Sequence, residues 1–79
     1  MSIDHFSDQP VYLQLAAVLR QMIESGEIAP RNPLPSINTL VQRYELSAGT
    51  VEKALGVLRA EGLVRTVPGR GVYVMPQEG

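Results

Sequence analysis

The residues best suited to chemistry are one glycine-flanked arginine and two polar runs led by serine. Arg70 stands between Gly69 and Gly71, just after Pro68, where two apolar stretches, Leu63 to Val67 and Val72 to Met75, meet. The glycines permit a reversing turn, and the turn projects a guanidinium where a phosphate or a narrow groove of negative potential would attract it. Arg65 lies on the first of those stretches. Ser47-Ala48-Gly49-Thr50 precedes a stripe of Val51, Ala54, Leu55 and Leu58 at the i, i+3, i+4, i+7 spacing of a helix. Ser36 likewise precedes Ile37, Leu40, Val41 and Tyr44. A serine so placed caps a helix, and a helix N-terminus offers free N–H groups and a favourable dipole to an anion. These residue types can hold phosphates and read base edges. They are poorly suited to making or breaking bonds.

Catalysis finds no support elsewhere in the chain. His5 is the only histidine, and Asp4, His5 and Ser7 are too close in sequence and too unsupported to act as a triad. With no cysteine, disulfides, cysteine-ligated zinc and thiol chemistry are excluded. No metal-ligand spacing is present. Gly69-Arg70-Gly71 lies between two strands and opens no helix, so it is not a phosphate loop. The expectation is a protein that is not an enzyme, with no catalytic residue, no metal and no cofactor.

The elements that must position these residues follow from periodicity. The chain has 79 residues, which suits one domain: an arm over 1–8, a folded unit over 9–75 and a flexible tail over 76–79. A first helix is expected from about Gln9 to Ser25, with Asp8 as its cap, Pro10 in its first turn and Gly26 just past its end. Its stripe is Val11, Leu15, Val18, Leu19 and Met22, with Tyr12 and Ile23 at one margin and Leu13 and Ala17 outside it. Ile28 to Pro33 forms a loop, and Leu34 is placed to pair briefly with the later hairpin. Glu45-Leu46 is a turn between the second and third helices, and Gly62 ends the third. The fold class is mainly α with a small β-hairpin (α+β), a three-helix winged helix-turn-helix. That layout usually places a helix in the DNA major groove.

Net charge is −1, but its distribution is uneven. Residues 1–30 carry −3, residues 31–75 carry +3, and Glu78 supplies the remainder. The basic part contains the candidate DNA-facing elements, and meeting phosphates needs a local positive patch rather than a high overall pI. No apolar run reaches the roughly 20 residues of a membrane span, and the first residues lack the pattern of a signal peptide. A cytoplasmic protein without membrane contact is the expectation.

Over Pro10 to Val74 the chain resembles the DNA-binding domain of the GntR family of bacterial transcription regulators. The resemblance is carried by Pro10-Val11-Tyr12, Ile23-Glu24-Ser25-Gly26-Glu27-Ile28, Leu34-Pro35-Ser36 with Leu40, and Leu46-Ser47 with Thr50-Val51. It continues through Ala54-Leu55, Leu58, Glu61-Gly62-Leu63-Val64 and Pro68-Gly69-Arg70-Gly71. It implies sequence-specific binding of duplex operator DNA as a homodimer, usually to repress transcription. The third helix would enter the major groove and the hairpin tip the adjacent minor groove. The sequence departs from the family in two ways. Members usually carry a C-terminal effector or oligomerisation domain, whereas this chain stops shortly after the hairpin and reads as a truncated piece or a stand-alone module with no evident effector site. Members also often place basic side chains where this chain has Asn38, Ala48 and Glu52, so the target sequence does not transfer.

Individual residues then take candidate roles on DNA. Ser36, Asn38 and Thr39 lie where a second helix crosses the backbone, with solvent exposure as the plain alternative for Asn38 and Thr39. Ser47 and Thr50 cap and can meet phosphate. Ala48 and Gly49 allow close approach, Ala48 against a thymine methyl. Lys53 suits phosphate or guanine. Glu52 either accepts from cytosine N4, or is solvated, or pairs with Lys53 or Arg59. Gly56 in a helix interior costs about 1 kcal/mol against alanine, which close approach to DNA or a partner would explain. Arg65, Gly69, Arg70 and Gly71 form the hairpin contribution. Pairing of two copies, in solution or only on DNA, has its hints in Leu13, Tyr12 and Phe6. A rival reading is a winged-helix module that binds protein, with weak or no affinity for DNA.

Overall fold

A computed structural model describes residues 3–76; the part of the expected tail from 77 onward, and the first two residues of the arm, lie outside the described residues. Three helices precede one hairpin: α1 (Val11–Glu24), α2 (Ile37–Tyr44), α3 (Ala48–Ala60), β1 (Val64–Val67) and β2 (Gly71–Val74). The strands pair antiparallel, with Val64 opposite Val74, Arg65 opposite Tyr73, Thr66 opposite Val72 and Val67 opposite Gly71. This is the three-helix winged helix-turn-helix that the periodicity predicts.

α3 is the hub. Its stripe of Val51, Ala54, Leu55 and Leu58 is fully buried, no member more than 1% exposed. Leu15, Leu19 and Ile23 of α1, Leu40 of α2, and Val64 and Val74 of the hairpin complete the same cluster with Leu34 and Leu46. On α1 the buried set is Leu15, Ala16, Val18, Leu19 and Ile23, so the stripe is rotated from the expected one. Ile23 lies inside it and Met22 only half inside. Small Ala16, only 1% exposed, also belongs to the core.

The N-terminus of α1 also differs from expectation. The helix begins at Val11 with Pro10 in the cap position, and no side chain caps it. Asp8 does not cap because the chain before Pro10 turns back on itself. There, the Gln14 amide donates to the carbonyls of Asp4 and Gln9, both at 2.9 Å, and its oxygen accepts from the Asp4 N–H at 2.8 Å. The arm is thereby pinned along α1, with Ile3 against the core and Phe6 98% exposed.

Helix ends are set by local chemistry. The N–H of Gly62 donates to the Arg59 carbonyl and that of Leu63 to the Leu58 carbonyl, a Schellman closure that needs the φ of +77° at Gly62. Between α2 and α3, Glu45 adopts φ +56° and ψ +52°, and the Leu46 N–H returns to the Val41 carbonyl at 3.1 Å. This left-handed residue turns the chain so that Leu46 drops into the core and Ser47 begins α3. Leu34 does join the hairpin edge, its N–H donating to Val72, although the bridging pair is Pro33 with Tyr73.

One ion pair ties α1 to the end of α3. The Arg20 Nε and Nη2 donate to the two oxygens of Glu61 at 2.9 and 2.8 Å. Glu61 occupies the C-cap, where a carboxylate opposes the helix dipole, and the guanidinium offsets this. The hydrogen bond from Arg20 holds the Glu61 carboxyl below the usual carboxylate range. A depressed folded-state pKa contributes stability above the unfolded pKa, and that stability is lost as pH falls through the folded value.

Two outcomes are expected in denaturation experiments. Leu58→Ala should cost about 2–5 kcal/mol, because the hub packs on three sides and cannot collapse around the cavity. Glu61→Gln should lower the melting temperature slightly at neutral pH and match the unaltered chain in strong acid. Equal stability of the two proteins at neutral pH would show that the pair contributes nothing.

Candidate nucleic-acid interface

The helix-turn-helix presents two N-termini of the same build. The Ser36 Oγ accepts from the Thr39 N–H at 3.1 Å and lies 2.9 Å from the Thr39 hydroxyl. The Ser47 Oγ accepts from the Thr50 N–H at 3.2 Å and lies 2.9 Å from the Thr50 hydroxyl. Each serine thus satisfies one N–H of its first turn. The earlier N–H groups in the turn have no carbonyl within the helix to bond. At α2 these open turns carry exposed Asn38 and Thr39; at α3 they carry exposed Ala48 and Gly49, which cover little of the backbone. Thr50 is half-buried beside its cap.

The face of α3 opposite its stripe is narrower than the sequence suggests. Lys53 leans toward α1, its Nζ 4.4 Å from the centroid of the Tyr12 ring, a cation–π distance. Glu52 is paired: the Arg59 Nη2 donates to its Oε1 at 3.0 Å. Arg59 also reaches the hairpin, its Nη1 donating to the Thr66 Oγ1 at 3.1 Å. One guanidinium therefore neutralises the carboxylate on the exposed face of α3 and ties that helix to β1. Its path passes Gly56, where an alanine Cβ would stand 3.8 Å from Nη2, an ordinary contact. Nothing inside the fold therefore requires glycine at 56, nor at 49, where a Cβ would meet nothing within 4 Å.

At the hairpin, Arg70 is exposed at the tip. Its N–H closes the turn onto the Val67 carbonyl at 3.0 Å. Pro68 followed by Gly69 at φ +76° is the signature of a type II turn, and Gly71 at φ +123° re-enters the strand. Arg65 is exposed on β1 opposite Tyr73. Ser36, Asn38 and Thr39 thus stand at the first turn of α2, and Ser47, Ala48, Gly49 and Thr50 at the first turn of α3. Arg65 stands on β1, and Gly69, Arg70 and Gly71 at the hairpin tip border a groove that they share with Ile37 of α2 and with Glu52 and Arg59 of α3. Among the described residues no group of histidine and carboxylates could hold a metal ion.

The pairing of Glu52 with Arg59 is one of the alternatives that the sequence leaves open for Glu52, whereas Arg31 is not singled out by the sequence. The i, i+7 spacing of Glu52 and Arg59 with glycine between them was the available signal for the first. For Arg31 there was none, because its place beside the hairpin depends on how the loop folds.

Comparison with known proteins places this geometry. The family model described as bacterial regulatory proteins, gntR family, matches residues 11–74. The HTH-type transcriptional repressor NagR of Bacillus subtilis is 38% identical over 74 residues, 94% of this chain and 30% of that protein. The transcriptional repressor YtrA of the same organism is 32% identical over 94% of this chain and 57% of its own length. The chain thus spans less than a third of one of these curated relatives and just over half of the other. Among solved structures, the AraR DNA-binding domain in complex with operator ORX1 is 32% identical, with a TM-score of 0.84 over 94% of this chain and 92% of that one.

The twin caps give a direct test of the local build. Ser36→Ala and Ser47→Ala should each lower stability by about 1 kcal/mol, read by urea denaturation. The losses should add, since the caps share no partner.

Proposed function

The chain belongs to the gntR family of bacterial regulatory proteins, and from that premise we propose that it binds operator DNA sequence-specifically to repress transcription. The observation that carries this reading is the likeness to the AraR domain, a relative described bound to operator DNA, over 94% of this chain. The names of NagR and YtrA as repressors support the sign of regulation. The same likeness weighs against a module that binds only protein.

In this reading α3 enters the major groove end-on. Ala48 and Gly49 let its backbone approach, and the open N–H groups of its first turn face phosphate with Ser47 and Thr50. Ala48 suits a thymine methyl. The first turn of α2, with Ser36, Asn38 and Thr39, crosses the backbone. The hairpin tip, Gly69-Arg70-Gly71, enters the minor groove with its guanidinium foremost. Glu52, neutralised by Arg59, does not repel the duplex, and one of its oxygens is left to accept from a cytosine amino group. Lys53 reaches DNA only by leaving Tyr12. Few base contacts come from a domain this small, so two copies on a symmetric or repeated site supply the specificity.

Selection from a random duplex pool, followed by binding across a salt series, tests the proposal. A symmetric motif is expected, with log affinity falling against log salt at a slope near −0.9 per phosphate contacted. Failure to recover any motif would overturn it. On the selected duplex, Arg70→Ala should lose roughly 1–3 kcal/mol of binding with an unchanged melting temperature. Undiminished affinity would remove Arg70 from the interface.

A further inference from the structure

Three arginines meet on the face of the hairpin turned away from α3. Val64 and Val74 are buried on the inner side, so strand alternation puts Arg65 and Tyr73 on the outer side. Arg31 joins them from the loop before α2, anchored by its N–H to the Val74 carbonyl at 2.8 Å. Arg70 reaches the same place from the turn, and the four side chains line one open depression of about 490 Å³. No acidic side chain lines it, and among the described residues none of the three arginines is in an ion pair. The inner side differs: its groove also borders Arg70, but its other arginine, Arg59, is neutralised by Glu52.

Arg31 also sits where folding alone would prefer another residue. Its φ is +70°, a left-handed conformation that glycine adopts freely and a residue with a Cβ does not. An arginine there adds backbone strain and supplies a guanidinium to the cluster.

We propose that this outer hairpin face is a second DNA contact, holding phosphates of the strand that bounds the far side of the minor groove. The inference rests on the reading of the hairpin tip in that groove. A minor groove is walled by two phosphate strands, and a helix in the adjacent major groove lies across one of them. The inner side of the hairpin then faces the shared strand and the outer side the other. Arginine forks match phosphate oxygens in pairs, and such contacts carry no base information. The cluster therefore supplies affinity to a chain whose exposed helix positions Asn38, Ala48 and Glu52 carry no positive charge, without altering which sequence is read.

The test uses Arg31→Gly, Arg65→Ala and the double variant, each titrated with the random duplex pool and with the duplex selected by the unaltered chain. Each single change should weaken binding to both probes to a similar degree and reduce the salt slope by about 1, the double by about 2. The selected motif should stay the same. Arg31→Gly should melt no lower than the unaltered chain, and Arg65→Ala, at an exposed strand position, keeps the test open if it does. If the unaltered chain binds with a salt slope that both variants retain, the outer contact is refuted and the DNA reading stands. A changed motif also refutes it, since phosphate contacts do not select bases. If the unaltered chain shows no salt-dependent binding, the DNA reading fails and this inference with it.

Discussion

Burial of one face of α3 is the constraint on which the rest of the structure depends. Val51, Ala54, Leu55 and Leu58 are enclosed by α1, α2 and the hairpin together, so α3 has no freedom to rotate about its axis. Because the apolar stripe occupies one side, the capped first turn and the positions of Gly49, Glu52 and Gly56 must face outward. Stability and presentation are thus one arrangement: the contacts that fold the chain also aim the helix.

Charge is managed differently on each surface. Two acidic side chains on and just past α3 are paired: Glu52 with Arg59, and Glu61 with Arg20. Pairing with Arg59 has a second effect, since the same guanidinium bonds to Thr66 and fixes the hairpin against α3. Three further cations, Arg31, Arg65 and Arg70, gather around the hairpin in a depression that no acidic side chain among the described residues lines. The chain is slightly acidic overall, yet the part of its surface around the hairpin is locally basic. A local field, not the net charge, governs an encounter with a polyanion.

The two left-handed non-glycine residues mark where the chain is bent for position. Glu45 makes the turn that sends Leu46 inward and Ser47 to the start of α3, and Arg31 leads the loop onto the hairpin edge. Both stand at junctions between elements, where surrounding contacts hold the backbone against its own preference.

By itself the sequence determined the element order, the two serine caps, the buried stripe of α3 and the hairpin turn. Each is a local matter: helical spacing, a hydroxyl placed before a first turn, and Pro-Gly at a reversal act within a few residues of one another. Tertiary structure alone decided the pinning of the arm by Gln14, the rotated buried face of α1, the lean of Lys53 onto Tyr12, the bridge from Arg59 to Thr66 and the gathering of Arg31 with Arg65 and Arg70. Those pairings join residues on different elements. A long side chain can reach any of several partners, and only the packing of helices around α3 fixes which one lies within reach.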